Sequence, residues 1–244
     1  MTALRKTTVM ELKLWLREPA AAFFTLALPL ILLSLNGSQG NAPDAALGGA
    51  GGVDMLLPGY IAMVIATTGL MVLPATLASY REKGILRRQR ATPLHAIVIL
   101  AAHVIVNLLI TAIGLTLLVA VGLAFYDLNL PSAPAGALVA VALSALSFFA
   151  LSFLLAGVLP TTRTAQAVAA AIYFPMIFFS GAVVPREDLP DFAQRIGDFL
   201  PLTYAVEAIQ DPWIGDGVNL AASGLLLGLL VLAIAISTRT FRWE

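Results

Sequence analysis

The sequence predicts an all-α integral membrane protein with six transmembrane helices. Three observations lead to this fold class. Of the 244 residues, 59% are hydrophobic and only 11% are charged, the apolar residues gather in long runs, and the cations fall on one side of those runs. A soluble domain has roughly 25% charged residues, and one core could not hide so much apolar surface from water. The composition therefore favours a chain embedded in lipid, which is itself an apolar solvent.

Six apolar runs approach the roughly 20 residues that a helix needs to cross the hydrocarbon core. Each should be helical, because a span in lipid must satisfy its backbone hydrogen bonds internally. Pro29, Pro74 and Pro175 lie inside three of the spans, where proline should kink the helix and free a carbonyl for a neighbour. The six spans lie at about 20–36, 56–79, 94–125, 135–159, 165–184 and 218–238.

Residues 2–18, before the first span, have the pattern of an amphipathic helix in the membrane interface. Lys6, Lys13 and Arg17 form one stripe of this helix, and apolar residues that include Trp15 lie broadly opposite. A secretory signal peptide is the alternative, but the charged section is too long and no small-residue cleavage site follows. We therefore expect a retained N-terminal interface helix.

Two segments between spans are also expected to form helices. Residues 82–91, between the second and third spans, can make about two and a half helical turns before Pro93 ends them. Residues 185–211, between the fifth and sixth spans, contain several prolines with acids and aromatics between them. Within this predicted outer hairpin, 202–209 is too short to span the membrane but apolar enough to enter the outer leaflet as a re-entrant helix.

The distribution of charge predicts that both termini are cytoplasmic. Twelve of the fourteen Lys and Arg residues fall on the side that holds the N-terminus, and only Arg186 and Arg195 fall on the other. By the positive-inside rule, the cation-rich side faces the cytoplasm. Ten of the fourteen acids fall on the outer side: Asp44, Asp54, Asp127, Glu187, Asp188, Asp191, Asp198, Glu207, Asp211 and Asp216.

The residue types present argue against catalysis, metal binding and ion coupling. The chain has no cysteine and two histidines, His95 and His103, with no acidic partner in their span. The central turns of the spans lack Asp, Glu, Lys and Arg, the usual marks of a proton or ion relay. The net charge is zero, so no affinity for nucleic acid is indicated. The polar residues near mid-membrane are interpreted as forming helix–helix hydrogen bonds, with contact to a ligand as the alternative: Thr67, Thr68, Asn107, Thr111, Thr116, Ser144 and Ser147.

Two motifs resemble a known family, the type-2 ABC exporter permeases, which export drugs and polysaccharides. The first motif is similar to the coupling-helix signature of that family, and the second to its fifth span, outer hairpin and re-entrant region. They occur in the expected order, and with the six spans the resemblance covers essentially the whole chain. The first reads Arg81-Glu82-Lys83-Gly84-Ile85-Leu86 and then Ala91-Thr92-Pro93-Leu94; the second runs from Phe178 to Pro185, through Leu189-Pro190, to 200–208.

The resemblance implies one permease domain over residues 1–244, pairing with a second permease as a homodimer in the bacterial inner membrane. Two ATPase subunits would dock on the coupling helix 82–91. The implied docking residues are Arg81, Glu82, Lys83, Gly84, Ile85, Leu86, Arg87 and Arg88, and the implied residues of the outer hairpin and re-entrant region are Pro185, Leu189, Pro201, Tyr204 and Glu207.

The chain has no G-x-x-x-x-G-K-[ST] phosphate loop, so no cofactor is expected on it, and ATP and Mg would belong to the partner ATPase. The sequence departs from the family pattern at Arg87, Gln89 and Arg90, where the helix is more basic than usual. We therefore expect a partner groove of acidic character. The function implied is export of a hydrophobic or amphipathic compound. A stand-alone channel or secondary carrier, or a scaffold without transport, remains the alternative.

Overall fold

The computed structural model describes residues 8–10, 12–13, 15, 17–38, 40–43, 49–82, 96–215 and 217–240. Over these residues the fold is helical, and the only β-type pairing is an isolated bridge between Pro43 and Gly51. A short 3-10 turn covers Arg186–Asp188. The main helices are α1 Pro19–Gly37, α2 Gly52–Glu82, α3 Ala96–Phe125, α4 Pro134–Val158, α5 Thr162–Phe179, α6 Asp191–Gly197, α7 Pro201–Ile214 and α8 Leu220–Thr240.

Five of these helices are long and apolar enough to cross a membrane: α1, α2, α3, α4 and α8. Helix α5, at the predicted fifth span 165–184, is not among them. It begins earlier than predicted, because Thr161 caps its N-terminus in a capping box with Thr164. It ends at Phe179, just before Gly181 adopts a positive φ of 83°. The early start brings polar residues into its first turns, which makes α5 the least apolar of the predicted spans.

The predicted interface helix is described in part. Residues 8–10, 12–13 and 15 have helical backbone, and a turn at Arg17 and Glu18 leads into α1 at Pro19. Trp15 is buried against Val106 and Ile110 of α3. The N-terminal segment is therefore packed on the helical bundle.

Successive long helices run in opposite directions, so the bundle has two distinct ends. We call one the basic end, where Arg17, Arg81 and Arg163 lie and where α2 and α4 finish. We call the other the acidic end, where Asp54 and Glu207 lie and where α2 and α4 begin. Hydrogen bonds between distant segments hold each end together, as described below.

Helix α2 is the centre of the bundle. In the most apolar 18-residue stretch of α2, 78% of the residues are buried inside the protein, compared with 17% in the corresponding stretch of α8. It packs against α1, α3, α4, α5 and α7. Exposed apolar side chains such as Leu138 on α4 and Val231 on α8 cover the outside of the bundle. Such a surface is stable in lipid, because hydrocarbon chains are as apolar as the side chains.

Two of the three prolines that were predicted to kink a span, Pro29 and Pro74, follow a widened turn. A π-helical turn covers Phe23–Ala27 before Pro29, and another covers Thr67–Val72 before Pro74. Proline lacks an N–H and its ring crowds the carbonyl four residues earlier, which explains why the helix widens at these places. In the widened turn of α2 the backbone bonds span five residues, so Pro74 leaves the Gly69 carbonyl without its helical donor. As predicted, that carbonyl accepts from a neighbour, the Ser152 hydroxyl of α4.

Several mid-membrane polar residues do join helices, as the sequence predicts. Thr67 bonds to Tyr173 of α5 at 2.7 Å and Thr68 to Thr111 of α3 at 3.1 Å. Ser147 donates to the Leu226 carbonyl of α8 at 2.9 Å. Thr116 donates to the Ala112 carbonyl of its own helix at 2.7 Å. For Asn107 and Ser144 the described residues supply no bond to another helix.

Candidate functional site

The last two residues of α2, Arg81 and Glu82, bind the loop that joins α4 to α5. The Arg81 guanidinium donates to the carbonyl of Leu159 and, at 3.4 Å, to that of Gly157. The Glu82 carboxylate accepts from Thr162 twice, from its backbone N–H at 2.9 Å and from its hydroxyl at 2.8 Å. We call these five residues the α2 clasp.

The charges of the α2 clasp match the helix ends that they contact. The last carbonyls of a helix carry partial negative charge and lack partners within the helix, so a cation at the end of α4 is favourable. The first N–H groups of a helix carry partial positive charge, so the Glu82 carboxylate is favourable at the start of α5. The side chain of Thr161 already accepts from Thr164, and Glu82 supplies the acceptor that Thr162 needs. Thus α2 satisfies groups at the ends of two other helices.

The α2 clasp includes the first two of the predicted docking residues. Lys83, Gly84, Ile85, Leu86, Arg87 and Arg88, and the predicted coupling helix as far as residue 91, lie outside the described residues. The segment from residue 83 follows Arg81 and Glu82 directly in the chain, and these two residues connect α2 to α4 and α5.

At the acidic end, the predicted outer hairpin is held by an ion-pair cluster. Arg186 pairs with Asp198 and, at 3.1 Å, with Glu207 of α7. Tyr204 donates its hydroxyl to the Asp198 carbonyl. The cluster therefore ties the 3-10 turn to α7, and it brings together Tyr204 and Glu207, both predicted as members of this region.

The remaining predicted hairpin residues have backbone roles. Pro185 precedes the 3-10 turn, and Pro201 occupies the first position of α7, where the missing N–H has no helical partner to lose. The carbonyl of Leu189 accepts from the Gln194 side chain at 2.8 Å. These three residues set the course of the chain between α5 and α7.

The Glu207 carboxyl is partly withdrawn from water. Burial raises its pKa above the ordinary value of 4.5, and the positive charge of Arg186 acts in the opposite direction. Asp211 and Asp198 raise the pKa further, because their negative charges oppose ionisation. Burial and the ion pair with Arg186 therefore act on the pKa of Glu207 in opposite directions, and burial has the larger effect.

A second polar centre at the acidic end surrounds Asp54, which is only 5% exposed. Its carboxylate accepts from the Asn41 side chain at 3.0 Å, and from the backbone and side chain of Asn129 at 2.9 and 2.8 Å. Asn41 in turn accepts from the backbone of Val53 and Asp54, which caps the start of α2. The Trp213 indole donates to the Asn129 carbonyl at 3.1 Å, which joins α7 to the same centre. We call Asn41, Asp54 and Asn129 the Asp54 network.

The sequence interpretation missed the roles of Asp54, Asn41 and Arg186. The charge distribution identifies Asp54 only as one of the outer acids, although an acid so close to a long apolar run is a usable signal of a buried partner network. It identifies Arg186 only as one of the two outer cations, and the nearby acids at 187, 188, 191 and 198 are the available signal of an ion pair. Asn41 and Asn129 are uncharged, and nothing in the sequence around them indicates that they bond to Asp54.

Of the two histidines, His103 is buried in the bundle. His103 lies edge-on to Tyr80, with 5.1 Å between the ring centroids, and His95 lies outside the described residues. In the part of the chain that the structure describes, no three His, Asp or Glu side chains gather in a way that could hold a metal ion.

A helical bundle with five apolar helices of membrane-crossing length, an enclosed central helix and polar clusters at both ends defines a multi-pass membrane protein. The chain belongs to the ABC-2 type transporter family, whose model matches residues 3–212.

Individual relatives agree with this family. The chain is 26% identical over 204 residues to YvfS of Bacillus subtilis (strain 168), which carries the name of a transport permease; the match covers 82% of this chain and 81% of YvfS. It is 30% identical over 108 residues to nodulation protein J of Rhizobium leguminosarum bv. viciae, covering 43% and 42% of the two chains. It is 24% identical over 182 residues to ABC transporter G family member 20 of Dictyostelium discoideum. That match covers 74% of this chain but 24% of the longer relative.

Proposed function

We propose that this chain is the transmembrane subunit of an ATP-driven exporter for a hydrophobic or amphipathic compound. Two copies pair as a homodimer in the bacterial inner membrane, with both termini in the cytoplasm. Two separate ATPase subunits, which hold ATP and Mg, dock on segment 82–91. Family membership and the likeness to a named transport permease support the transport role. The charge asymmetry supports the orientation.

The observation that carries the energy-coupling part of the proposal is the α2 clasp. A force applied to segment 82–91 acts on α2 through the chain itself. Because Arg81 holds the end of α4 and Glu82 holds the start of α5, the same force reaches both helices. One docking segment can thus move α2, α4 and α5 together. Switching between two transport states requires such a linked movement of helices.

The sequence itself offers no internal route by which energy could drive transport. The charge-free central turns of the predicted spans contain no ionisable relay through which an ion gradient could act. Neither does the sequence contain a phosphate loop. Energy would therefore enter through a partner at the basic end.

The test is co-purification of the ATPase in mild detergent, followed by export in reconstituted vesicles. Gly84→Pro would break the docking helix, and Ile85→Asp would place a charge on its apolar patch. Both variants are expected to insert normally but to lose the ATPase and to stop export. Val184→Asp is the matched control, since Val184 is an exposed apolar residue at the acidic end.

The outcomes separate the candidate functions. An ATPase that stays bound to both variants, with normal export, would contradict docking on segment 82–91. Substrate flux through the purified chain under an ion gradient, with no ATPase present, would instead identify a channel or secondary carrier. A chain that moves no compound in either condition would be a scaffold.

A further inference from the structure

Helix α6, in the predicted outer hairpin, exposes three large apolar side chains. Phe192 is 63% exposed, Ile196 is 42% exposed, and Phe199, just past the end of the helix, is 87% exposed. Keeping such side chains in water is unfavourable, and a cluster of them marks a contact with a membrane or with another protein. We call these three residues the α6 patch.

The residues in and just after α6 divide into three faces at the spacing of 3.6 residues per turn. The α6 patch forms the first face. Ala193 and Gly197, both buried, form the second. Asp191, Arg195 and Asp198, all exposed, form the third. An apolar face beside a charged face is the pattern of a helix that lies in a membrane interface.

The face of α6 with small residues rests on the end of α5. A Cβ at Gly197 would lie 2.4 Å from the Phe179 carbonyl oxygen, so glycine permits this close approach of the two backbones. The Gly197 carbonyl accepts from the Thr203 hydroxyl at 2.7 Å, which joins the end of α6 to α7. Because these contacts fix the buried face, the α6 patch stays directed away from the bundle.

The level of α6 in the bundle favours lipid as the occupant of the patch. Other helices keep large apolar side chains exposed up to their ends at the acidic side: Phe125 ends α3, Leu220 begins α8, and both are exposed. Phe178, in the last turn of α5, is exposed as well. Such a surface is stable where hydrocarbon reaches the helix ends. The α6 patch, on the end of α5, continues this lipid-facing surface.

Helix α7, the other helix of the hairpin, uses its apolar residues differently. Leu202, Ala205, Val206 and Ile209 are buried in the protein, and α7 packs against α2, α4 and α8. The predicted re-entrant stretch 202–209 therefore directs its apolar side into the bundle. Of the two hairpin helices, α6 is the one with an apolar face available to lipid.

We propose that α6 is an interfacial anchor, with the α6 patch inserted in the bilayer leaflet at the acidic end and the charged face in the headgroup region. That leaflet is the outer one in the orientation proposed above. The anchor fixes the end of α5 relative to the membrane surface. The proposal requires neither an ATPase nor a transported compound, so its outcome is separate from that of the docking experiment.

Spin labels measure this contact directly, because the chain has no cysteine. Phe192→Cys and Phe199→Cys are each labelled with a nitroxide, and the protein is placed in phosphatidylcholine nanodiscs. Oxygen concentrates in hydrocarbon and a nickel chelate stays in water, so their effects on the relaxation of the label report its surroundings. We expect the ratio of oxygen to nickel access to exceed one at both positions.

Three control positions set the limits of this measurement. Leu138→Cys, at an exposed apolar residue of α4, should give the same excess of oxygen access. Glu187→Cys, at an exposed residue of the 3-10 turn, should give an excess of nickel access. Asp191→Cys is the matched control, because it is next to Phe192 but on the charged face of α6, and it should also favour nickel. Thermal melting of each labelled protein checks folding.

Two results would overturn the proposal. An excess of nickel access at Phe192→Cys and Phe199→Cys would place the α6 patch in water. Low access of both reagents would place the patch against protein, and dipolar broadening between labels would identify that protein as a second copy of the chain. A ratio at Asp191→Cys equal to that at Phe192→Cys would show that α6 does not lie with one face toward lipid, and would also contradict the anchor.

Discussion

The two ends of the bundle are held together in different ways. At the basic end, two consecutive residues of one helix, Arg81 and Glu82, contact the ends of two others, and the Glu82 contacts are exposed. At the acidic end, the Asp54 network is mostly buried and draws in α2, the loop after α3 and, through Trp213, α7. Exposed polar contacts contribute little net stability because water can replace them, whereas buried ones are expensive to break.

This difference suggests that the contacts at the basic end open more readily than those at the acidic end. Local opening concentrates where few contacts are buried and backbone hydrogen bonds are exposed. By that criterion the exposed Glu82 contacts should open more easily than the buried contacts of Asp54.

Asp54→Ala should destabilise the protein most, by about 3 kcal/mol, because hydrogen bonds to a charged group contribute about 1.5–3 kcal/mol each. The change leaves the buried Asn41 amide short of one acceptor and releases Asn129. Thermal unfolding of the purified protein in detergent measures the effect. Asp188→Ala, at an exposed acid of the same end, serves as the control and should melt like the wild type. Equal melting of the two variants would remove the Asp54 network as a stabilising centre.

Gly59→Ala should come next, with a loss of about 2 kcal/mol from overpacking. A Cβ at Gly59 would lie 2.6 Å from the Ala182 carbonyl oxygen, and backbone on both sides leaves little room to adjust. Gly52→Ala is the matched control on the same helix, because a Cβ there meets nothing within 4 Å. If both variants melt at the same temperature, the close approach of α2 to the turn after α5 is not a tight constraint.

The sequence predicted the architecture better than it predicted the contacts. Spans such as 20–36 and 135–159 match α1 and α4 closely, because apolar runs and backbone satisfaction in lipid determine where long helices lie. The fifth span was less accurate, since the Thr161 capping box and Gly181 set the ends of α5, and both are local polar and backbone features rather than hydropathy.

The partners of Glu82 and Asp54 could not be identified from the sequence, for a physical reason. Glu82 and Thr162 are 80 residues apart, and Asp54 and Asn129 are 75 apart. Such pairings depend on how helices pack, which a single sequence does not specify. The family resemblance assigned Glu82 to docking, and that assignment stays a prediction. The structure shows that its side chain also has an internal partner, Thr162.

Glu82→Gln separates these two roles of Glu82. We expect a loss of stability of only about 0.5–1 kcal/mol, as for other helix caps, because one amide oxygen can still accept from Thr162. ATPase co-purification should be retained while substrate-stimulated ATP hydrolysis falls, since the link from α2 to α5 is weakened. Thr162→Val should give the same phenotype, and the double variant should be no worse than either single one. Loss of co-purification in Glu82→Gln alone would mean that Glu82 contacts the ATPase directly.

The smallest effect should come from the pH dependence of Glu207. Because burial raises its folded-state pKa above 4.5, the fold binds the proton more tightly than the unfolded chain does. The stabilisation from this proton is fully present below pH 4.5 and is lost as the pH rises through the folded-state pKa. Glu207→Gln, which cannot ionise, should therefore flatten the melting temperature over the interval just above pH 4.5, whereas Glu187→Gln at an exposed site should not. A wild-type profile that instead gains stability over this interval, relative to Glu207→Gln, would show that the Arg186 pair outweighs burial and that the acidic end is held by charge more than by desolvated packing.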